Sequence, residues 1–194
     1  MLGSASVVRG DILRGAGVSF IVEASNVDEK PIKIRCRKQG LSVEETAMAL
    51  AEAKAADVAA KHPGALVIGA DQILDCDGRW FDKPENADAA RDTLKALRSK
   101  QHRLINAVTV YRDSEYLWRH TEVATLNMRD FSDAFLEQYL EDGGADILAS
   151  VGAYRLEQSG AQLFTTVEGS YFTILGLPLL ALLEFLRLQG VLVK

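Results

Sequence analysis

Residues 65–84 read ALVIGADQILDCDGRWFDKP. Residues 65–69 are mostly aliphatic and run straight into an acid, Asp71, with Lys83 twelve residues further on. A short apolar run after a turn signal, here His62-Pro63-Gly64, reads as a buried strand. The next stretch, ILDCDGRWF, has the look of a hairpin turning at Asp77-Gly78, because both central positions of such a turn favour Asn, Asp or Gly. In open α/β sheets, ligands gather beyond the carboxyl ends of strands. Asp71, two residues past the apolar run, is placed where a working acid would belong. A turn acid that caps the next segment is the competing reading.

Helical and strand patterns alternate on both sides of this stretch, which indicates an α/β protein. Upstream, Ser42 and Glu45 form a capping-box pattern that opens an alanine-rich helix, VEETAMALAEAKAADVAAK. SASVVRGDILRGAG opens a helix closed by Gly15 or Gly17. Only Met1 to Gly3 precede it, so any first strand is very short. SFIVEAS (19–25) alternates as a strand, with Phe20 and Val22 inward. VDEKPIKIRCRKQG alternates like a strand too, but acids before Pro31 and a closing Gly40 favour a short helix. Downstream, ENADAARDTLKALRSK is a helix capped by Asn86 or Asp88. INAVTVYRDSEYLWRHTEVATLNM is two antiparallel strands around residues 112–115. FSDAFLEQYLEDGG is a helix capped by Ser132 and stopped by Gly143-Gly144. GAQLFTTVEGSYFTI reads as extended, and PLLALLEFLRLQG as a final helix with Pro178 at its first position. That helix is apolar over more than one face, so either the core surrounds it or a second subunit packs on it.

A chain of 194 residues can bury a full core. Its net charge of −5 argues against binding to a nucleic-acid polymer, which needs a strongly basic face, but leaves room for a small anionic substrate. Cys36 and Cys76 lack metal-ligand spacing and read as free thiols. The opening MLGSASVVRGDIL has no long apolar core of the signal-peptide kind. The uncharged stretch between Glu168 and Glu184 is broken by Gly176 and Pro178, too short to span a bilayer. A soluble, cytoplasmic protein without membrane contact is expected.

Several residues could join Asp71. Asp28-Glu29 follows the expected strand 19–25. Lys54 lies among alanines, where a solvated helix face is the simplest expectation. Lys83 precedes Pro84, which holds it extended and helps aim its side chain. Ser4-Ala5-Ser6 ahead of Arg9 can present hydroxyls and backbone N–H groups to an anion, or simply cap the helix. Carboxylates that hold a hard cation, with Lys and Arg neutralising phosphate oxygens, suit a polyphosphate substrate.

SASVVR at 4–9, VDE at 27–29, LAEAKA at 50–55, GADQ at 69–72, DKP at 82–84 and GLPL at 176–179 together resemble the Maf family of nucleoside triphosphate pyrophosphatases. The resemblance covers nearly the whole chain. It implies a single α/β domain, residues 1–194, with an inosine triphosphatase-like fold: a mixed twisted sheet flanked by helices, two lobes and a deep central cleft. It further implies a homodimer that hydrolyses a nucleoside triphosphate to the monophosphate and pyrophosphate with a divalent cation, Mg²⁺ or Mn²⁺. In that reading Asp71 activates water and shares the metal with Glu29. Lys54 and Lys83 contact the phosphates, as do Ser4 and Arg9. Such proteins are also linked to cell-division arrest, so a nucleotide-binding regulator with little catalysis is the alternative.

Three departures bear on specificity. Val7-Val8-Arg9 lacks one basic residue of the family's opening, SxSPRR. Ser170 replaces an acid more usual in the EGDY stretch. Gln72 and Glu157 stand where the thymidine/uridine branch has Thr and Gln, and resemble instead the branch that acts on 7-methyl-GTP, although that branch has a bulky aromatic where Val8 stands. A carboxylate at Glu157 could accept from the N1–H and exocyclic amine of guanine, and would favour a ring made cationic by methylation. Lys100 and His102 match a basic stretch of the family, as phosphate contacts or as solvent-facing residues at a strand start. The five cations between Lys30 and Lys38 are either a solvated face or a rim that draws anions in.

Overall fold

The computed structural model describes residues 1–113 and 115–193. Its decisive feature is the contact between a helix and the strand quoted above. Ser42 caps α3 (Val43–Ala59) with the expected reciprocal box to Glu45. Ala47, Ala51 and Ala55, spaced by four, form a fully buried stripe along it. They face β1 (Val67–Cys76) at Gly69. A Cβ added there would lie 2.3 Å from the carbonyl of Ala51 and 2.9 Å from the amide nitrogen of Ala55, so only glycine lets the helix come this close.

β1 does not stop before Asp71. It continues to Cys76 and pairs there with β2 (Arg79–Phe81) in an antiparallel hairpin. The turn is Asp77-Gly78, with φ of 54° and 80°, the left-handed pair that the sequence signals. Asp71 is therefore a mid-strand residue rather than a loop acid at a strand end. A charge interrupts the apolar pattern without interrupting the backbone pairing.

The other helices are α1 (Val7–Gly15), α2 (Glu29–Lys38), α4 (Ala87–Leu97), α5 (Asp133–Gly143), α6 (Tyr171–Ile174) and α7 (Leu179–Leu188). The helical reading of 29–38 holds, with Asp28 as its cap, and Asn86 and Ser132 cap α4 and α5. The stretch 19–25 is corrected: its only strand character is one parallel bridge, Val22 to Leu2. Phe20 packs on the core but Val22 faces solvent. Residues 160–174 are not one extended run either. A 3₁₀ turn (Ser159–Leu163) leads into β5 (Phe164–Glu168), and α6 follows. Pro178 sits one place earlier than expected, at the cap of α7. β3 (Gln101–Arg112) and β4 (Glu115–Met128) flank the expected turn, of which Ser114 lies outside the described residues.

The strands form an antiparallel sheet in the order β2-β1-β3-β4-β5. The parallel component of the expected mixed sheet is supplied by Leu2, bridged to Val22 and to Ile68. The very short first strand is thus one residue long.

The chain forms two compact units. The first comprises residues 1–72, 105–122 and 170–194. Its core joins Leu2, Leu13, Ile68, Val108, Leu182 and Phe185. α7 buries Leu179, Leu182, Phe185 and Leu186 and leaves Leu180 and Leu188 exposed. The second comprises residues 73–104 and 123–169. There Arg91 grips Glu137 through two hydrogen bonds of 2.7 and 2.8 Å, tying α4 to α5. Both cysteines are free and buried. Among the described residues no helix is long and apolar enough to cross a membrane.

Candidate active site

The close approach at Gly69 sets up the chemistry two residues on. Lys54, on the turn of α3 between Ala51 and Ala55, reaches Asp71 Oδ1 at 2.6 Å and Glu29 Oε1 at 2.7 Å. Its side chain is only 13% exposed, so the expected solvated lysine is in fact a nearly buried one. Glu29 is the first residue of α2 and is also 3.5 Å from Lys33 one turn later.

The two carboxylates are not equivalent. Burial pushes the Asp71 carboxyl above the usual carboxylate range; Lys54 and Arg9 oppose this, and Glu29 adds to it. Burial raises Glu29 as well, but there the hydrogen bond and charge of Lys54, with help from Lys33, outweigh it and hold that carboxyl below its ordinary value. One acid is poised to take a proton and its neighbour to stay ionised.

Arg9 and Ser4 form the floor beside them. Arg9 Nε donates to the carbonyl of Gly176 at 2.7 Å, and Nη1 donates to that of Ala70 at 2.9 Å and to Ser4 Oγ at 3.1 Å. Ser4 Oγ also accepts from the amide of Ser6, whose own hydroxyl caps α1 by accepting from Arg9 N. Both residues, expected as phosphate contacts, are buried and already engaged within the protein. Arg9 fixes the backbone carbonyl immediately before Asp71. Burial lowers its pKa, and Asp71 and Glu29 oppose that shift.

Gln72 follows Asp71 and turns its amide Nε2 to the carbonyls of Thr173 and Ile174, at 3.3 and 3.2 Å. The sequence motif named the glutamine but not these partners, since backbone acceptors carry no residue signature.

Glu29, Lys54, Asp71, Arg9, Ser4 and Gln72 all lie in the first unit. Lys83 and Glu157 belong to the second. Lys83 is exposed and lines a cavity of about 380 Å³ with Trp80, Phe81, Asp82, Pro84 and Asp92. Glu157 accepts from Arg155 Nε at 2.9 Å, and Arg155 also holds Asp146. Ser170 caps α6 without a side-chain hydrogen bond. His102 is neither a phosphate contact nor solvent-facing: it is 1% exposed, bonded to the Tyr154 hydroxyl at 2.8 Å and packed on Phe164.

Among the described residues no group of three or more His, Cys, Asp or Glu side chains is placed to hold a metal ion. The pair Glu29 and Asp71, both turned to one ammonium, is a donor set of a different kind. Mg²⁺ is commonly held by one or two carboxylates, its remaining places filled by water and substrate phosphates. Two carboxylates are the donor set such a site requires.

Comparison with known proteins gives this geometry a context. Residues 1–189 match the family described as Maf-like protein. The chain is 53% identical to a nucleoside triphosphate pyrophosphatase of Paramagnetospirillum magneticum, over 100% of both chains. It is 50% identical to one of Caulobacter vibrioides, covering 98% of this chain and 96% of that one. A 7-methyl-GTP pyrophosphatase of Brucella abortus is 43% identical, covering 96% of this chain and 94% of its own.

Proposed function

This chain belongs to the Maf-like protein family, and on that premise we propose that it hydrolyses a nucleoside triphosphate to the nucleoside monophosphate and pyrophosphate. The observation that carries the reading is the convergence of Asp71 and Glu29 on Lys54. A buried carboxyl with a raised pKa is a better base than a free one. Asp71 accepts a proton from a water aligned on the α-phosphorus. The new P–O bond forms as the bond to the bridging oxygen breaks, and pyrophosphate leaves. Lys54 holds Asp71 in place and offsets charge that develops as the anhydride opens. Glu29 and Asp71 would hold a divalent cation, which when bound neutralises phosphate oxygens and the leaving group. Arg9 and Ser4 keep the backbone before Asp71 fixed. The parts given to Lys83 and Glu157, a phosphate contact and a base contact, rest on their motifs.

The pair Gln72 and Glu157 supports a guanine base, 7-methyl-GTP in particular, as does the name of the Brucella relative. A cytoplasmic homodimer belongs to the same reading. The relatives' pyrophosphatase names favour catalysis over a regulator that only binds nucleotide. The test is a panel of nucleotides, methylated and unmodified, incubated with purified protein and Mg²⁺ or Mn²⁺. Pyrophosphate and monophosphate should appear in equal amounts, fastest from the guanine members. Tight binding without hydrolysis under every metal would overturn the proposal.

A further inference from the structure

The start of α2 is held from two successive turns of α3. Lys54 holds it through the side chain of Glu29. Asp57, three residues on and so on the same side of the helix, holds it through the backbone. Its Oδ2 accepts from the amide of Asn26 at 3.0 Å, three residues before Glu29. The same oxygen accepts from Lys61 Nζ at 2.9 Å. We propose that Asp57 is a positioning residue for Glu29, an α3 latch that fixes the loop delivering Glu29 to the cation.

The loop needs such a latch. Residues 19–28 contain no strand beyond one bridge. Their inner end is tied by Leu2 N to Ile21 O at 2.8 Å and by Glu23 N to Leu2 O at 3.0 Å. Their outer end becomes helical only where Asp28 accepts from the amide of Lys30. Between these anchors the Asn26 amide is the point at which α3 takes hold. An acceptor that is ionised makes a stronger hydrogen bond to a backbone N–H. The bond from Asn26 holds the Asp57 carboxyl below its ordinary pKa, and Lys61 adds to that. The ion pair with Lys61 reaches only the inner end of the loop, where Lys61 Nζ lies 4.0 Å from Glu23 Oε1. The bond to Asn26 bears on Glu29 directly, because it fixes the chain three residues before it.

The inference rests on Glu29 contacting the cation, so the experiment tests both. Four variants are compared with wild type: Asp57→Ala, Asp57→Asn, Lys61→Ala and Glu29→Gln. Amide hydrogen exchange of the segment 23–33 is read without metal. The Mg²⁺ concentration for half-maximal pyrophosphate release is read separately from kcat at saturating Mg²⁺. Asp57→Ala should speed exchange at 24–28 and raise the Mg²⁺ requirement about 10-fold, as loss of an outer partner of a metal ligand does. Its kcat at saturating Mg²⁺ should stay within about 2-fold of wild type, the pattern of a binding defect. Asp57→Asn retains a carbonyl acceptor for Asn26 and should recover most of both. Lys61→Ala, which also removes the contact to Glu23, should speed exchange at residue 23 at most and leave the Mg²⁺ requirement as in wild type. If Glu29→Gln raises the Mg²⁺ requirement while Asp57→Ala changes neither exchange nor requirement, the latch is refuted. The same holds if Lys61→Ala reproduces the Asp57→Ala defect. If Glu29→Gln leaves the requirement unchanged, the inference also falls, but through the role of Glu29 rather than that of Asp57.

Discussion

The ammonium of Lys54 lies 2.6 Å from Asp71 Oδ1, with the two side chains 13% and 7% exposed. A lysine so placed does more than attract phosphate: it keeps two neighbouring carboxylates compatible. Lys54→Met would leave Asp71 and Glu29 facing each other without the cation that joins them. Removing one partner of a buried ion pair costs roughly 3 kcal/mol, and the melting temperature should fall accordingly. Pyrophosphate release should drop by about 10²-fold or more. A variant with wild-type melting and wild-type turnover would show that the pair serves neither stability nor catalysis.

Asp71→Asn should separate those two roles. The folded protein holds the Asp71 proton more tightly than the unfolded chain, because burial raises its pKa. Stability from this group is therefore present at low pH and lost as pH rises from the ordinary carboxylate pKa through the raised one. Wherever Asp71 is ionised it is a stability cost that the neutral amide does not carry. The variant should lose about 10²–10⁴-fold in rate while melting no lower than wild type at pH 8. In wild type, kcat/KM should fall as pH drops through the raised pKa, above the range of an ordinary aspartate. Full turnover by Asp71→Asn would remove Asp71 from the chemistry.

Much of this arrangement is written in local signals. The capping box of Ser42 and Glu45, the Asp77-Gly78 turn and the caps Asn86 and Ser132 depend on groups a few residues apart, and each is legible for that reason. What depends on tertiary partners is not. Lys54 sits in an alanine helix whose pattern indicates no partner, and only the fold brings Asp71 to it. Gln72 could be named from its motif, but the carbonyls of Thr173 and Ile174 that orient it belong to backbone far along the chain. The alternation of 19–25 misleads because hydrogen bonding to Leu2 is satisfied at one residue, after which the loop is held by Asp57. His102 in a basic stretch looks exposed until Tyr154 and Phe164 close over it.

Gly69 is the least conspicuous of the residues that make the site. A methyl group there would meet backbone atoms of Ala51 and Ala55, which cannot turn aside as a side chain can. Gly69→Ala should push α3 away from β1 and carry Lys54 from Asp71. Overpacking of this kind costs about 1–3 kcal/mol. Misplacement by about an ångström should lower kcat by about 10²-fold. A crystal structure of the variant with the Lys54–Asp71 distance unchanged would contradict the account.

Exchanging Gln72→Thr together with Glu157→Gln should move the preference from guanine nucleotides toward UTP or dTTP. Thr cannot span to the carbonyls that hold the Gln72 amide, and a neutral amide at 157 can donate as well as accept. Relative kcat/KM across the nucleotide panel is the measurement. An unchanged ranking would take both residues out of base selection.

His102 offers a prediction about stability that is independent of catalysis. Its ring is buried against Phe164 and shares a hydrogen bond with the Tyr154 hydroxyl. Burial lowers its pKa to about 4. The unfolded chain, where histidine titrates near its ordinary pKa of about 6.5, then binds more protons than the folded one between those values. Stability should be fully present above about pH 6.5 and decline toward pH 4, by about 3 kcal/mol for this group alone. Thermal melts of wild type and His102→Gln across that range isolate the contribution, since glutamine can keep a hydrogen bond to Tyr154 but does not titrate. The variant should melt lower than wild type at pH 7.5, where the packed ring is lost, and the gap should narrow or reverse toward pH 4.5. Parallel curves with a constant gap would mean that His102 titrates alike in both states, and that its burial is relieved before the proton arrives.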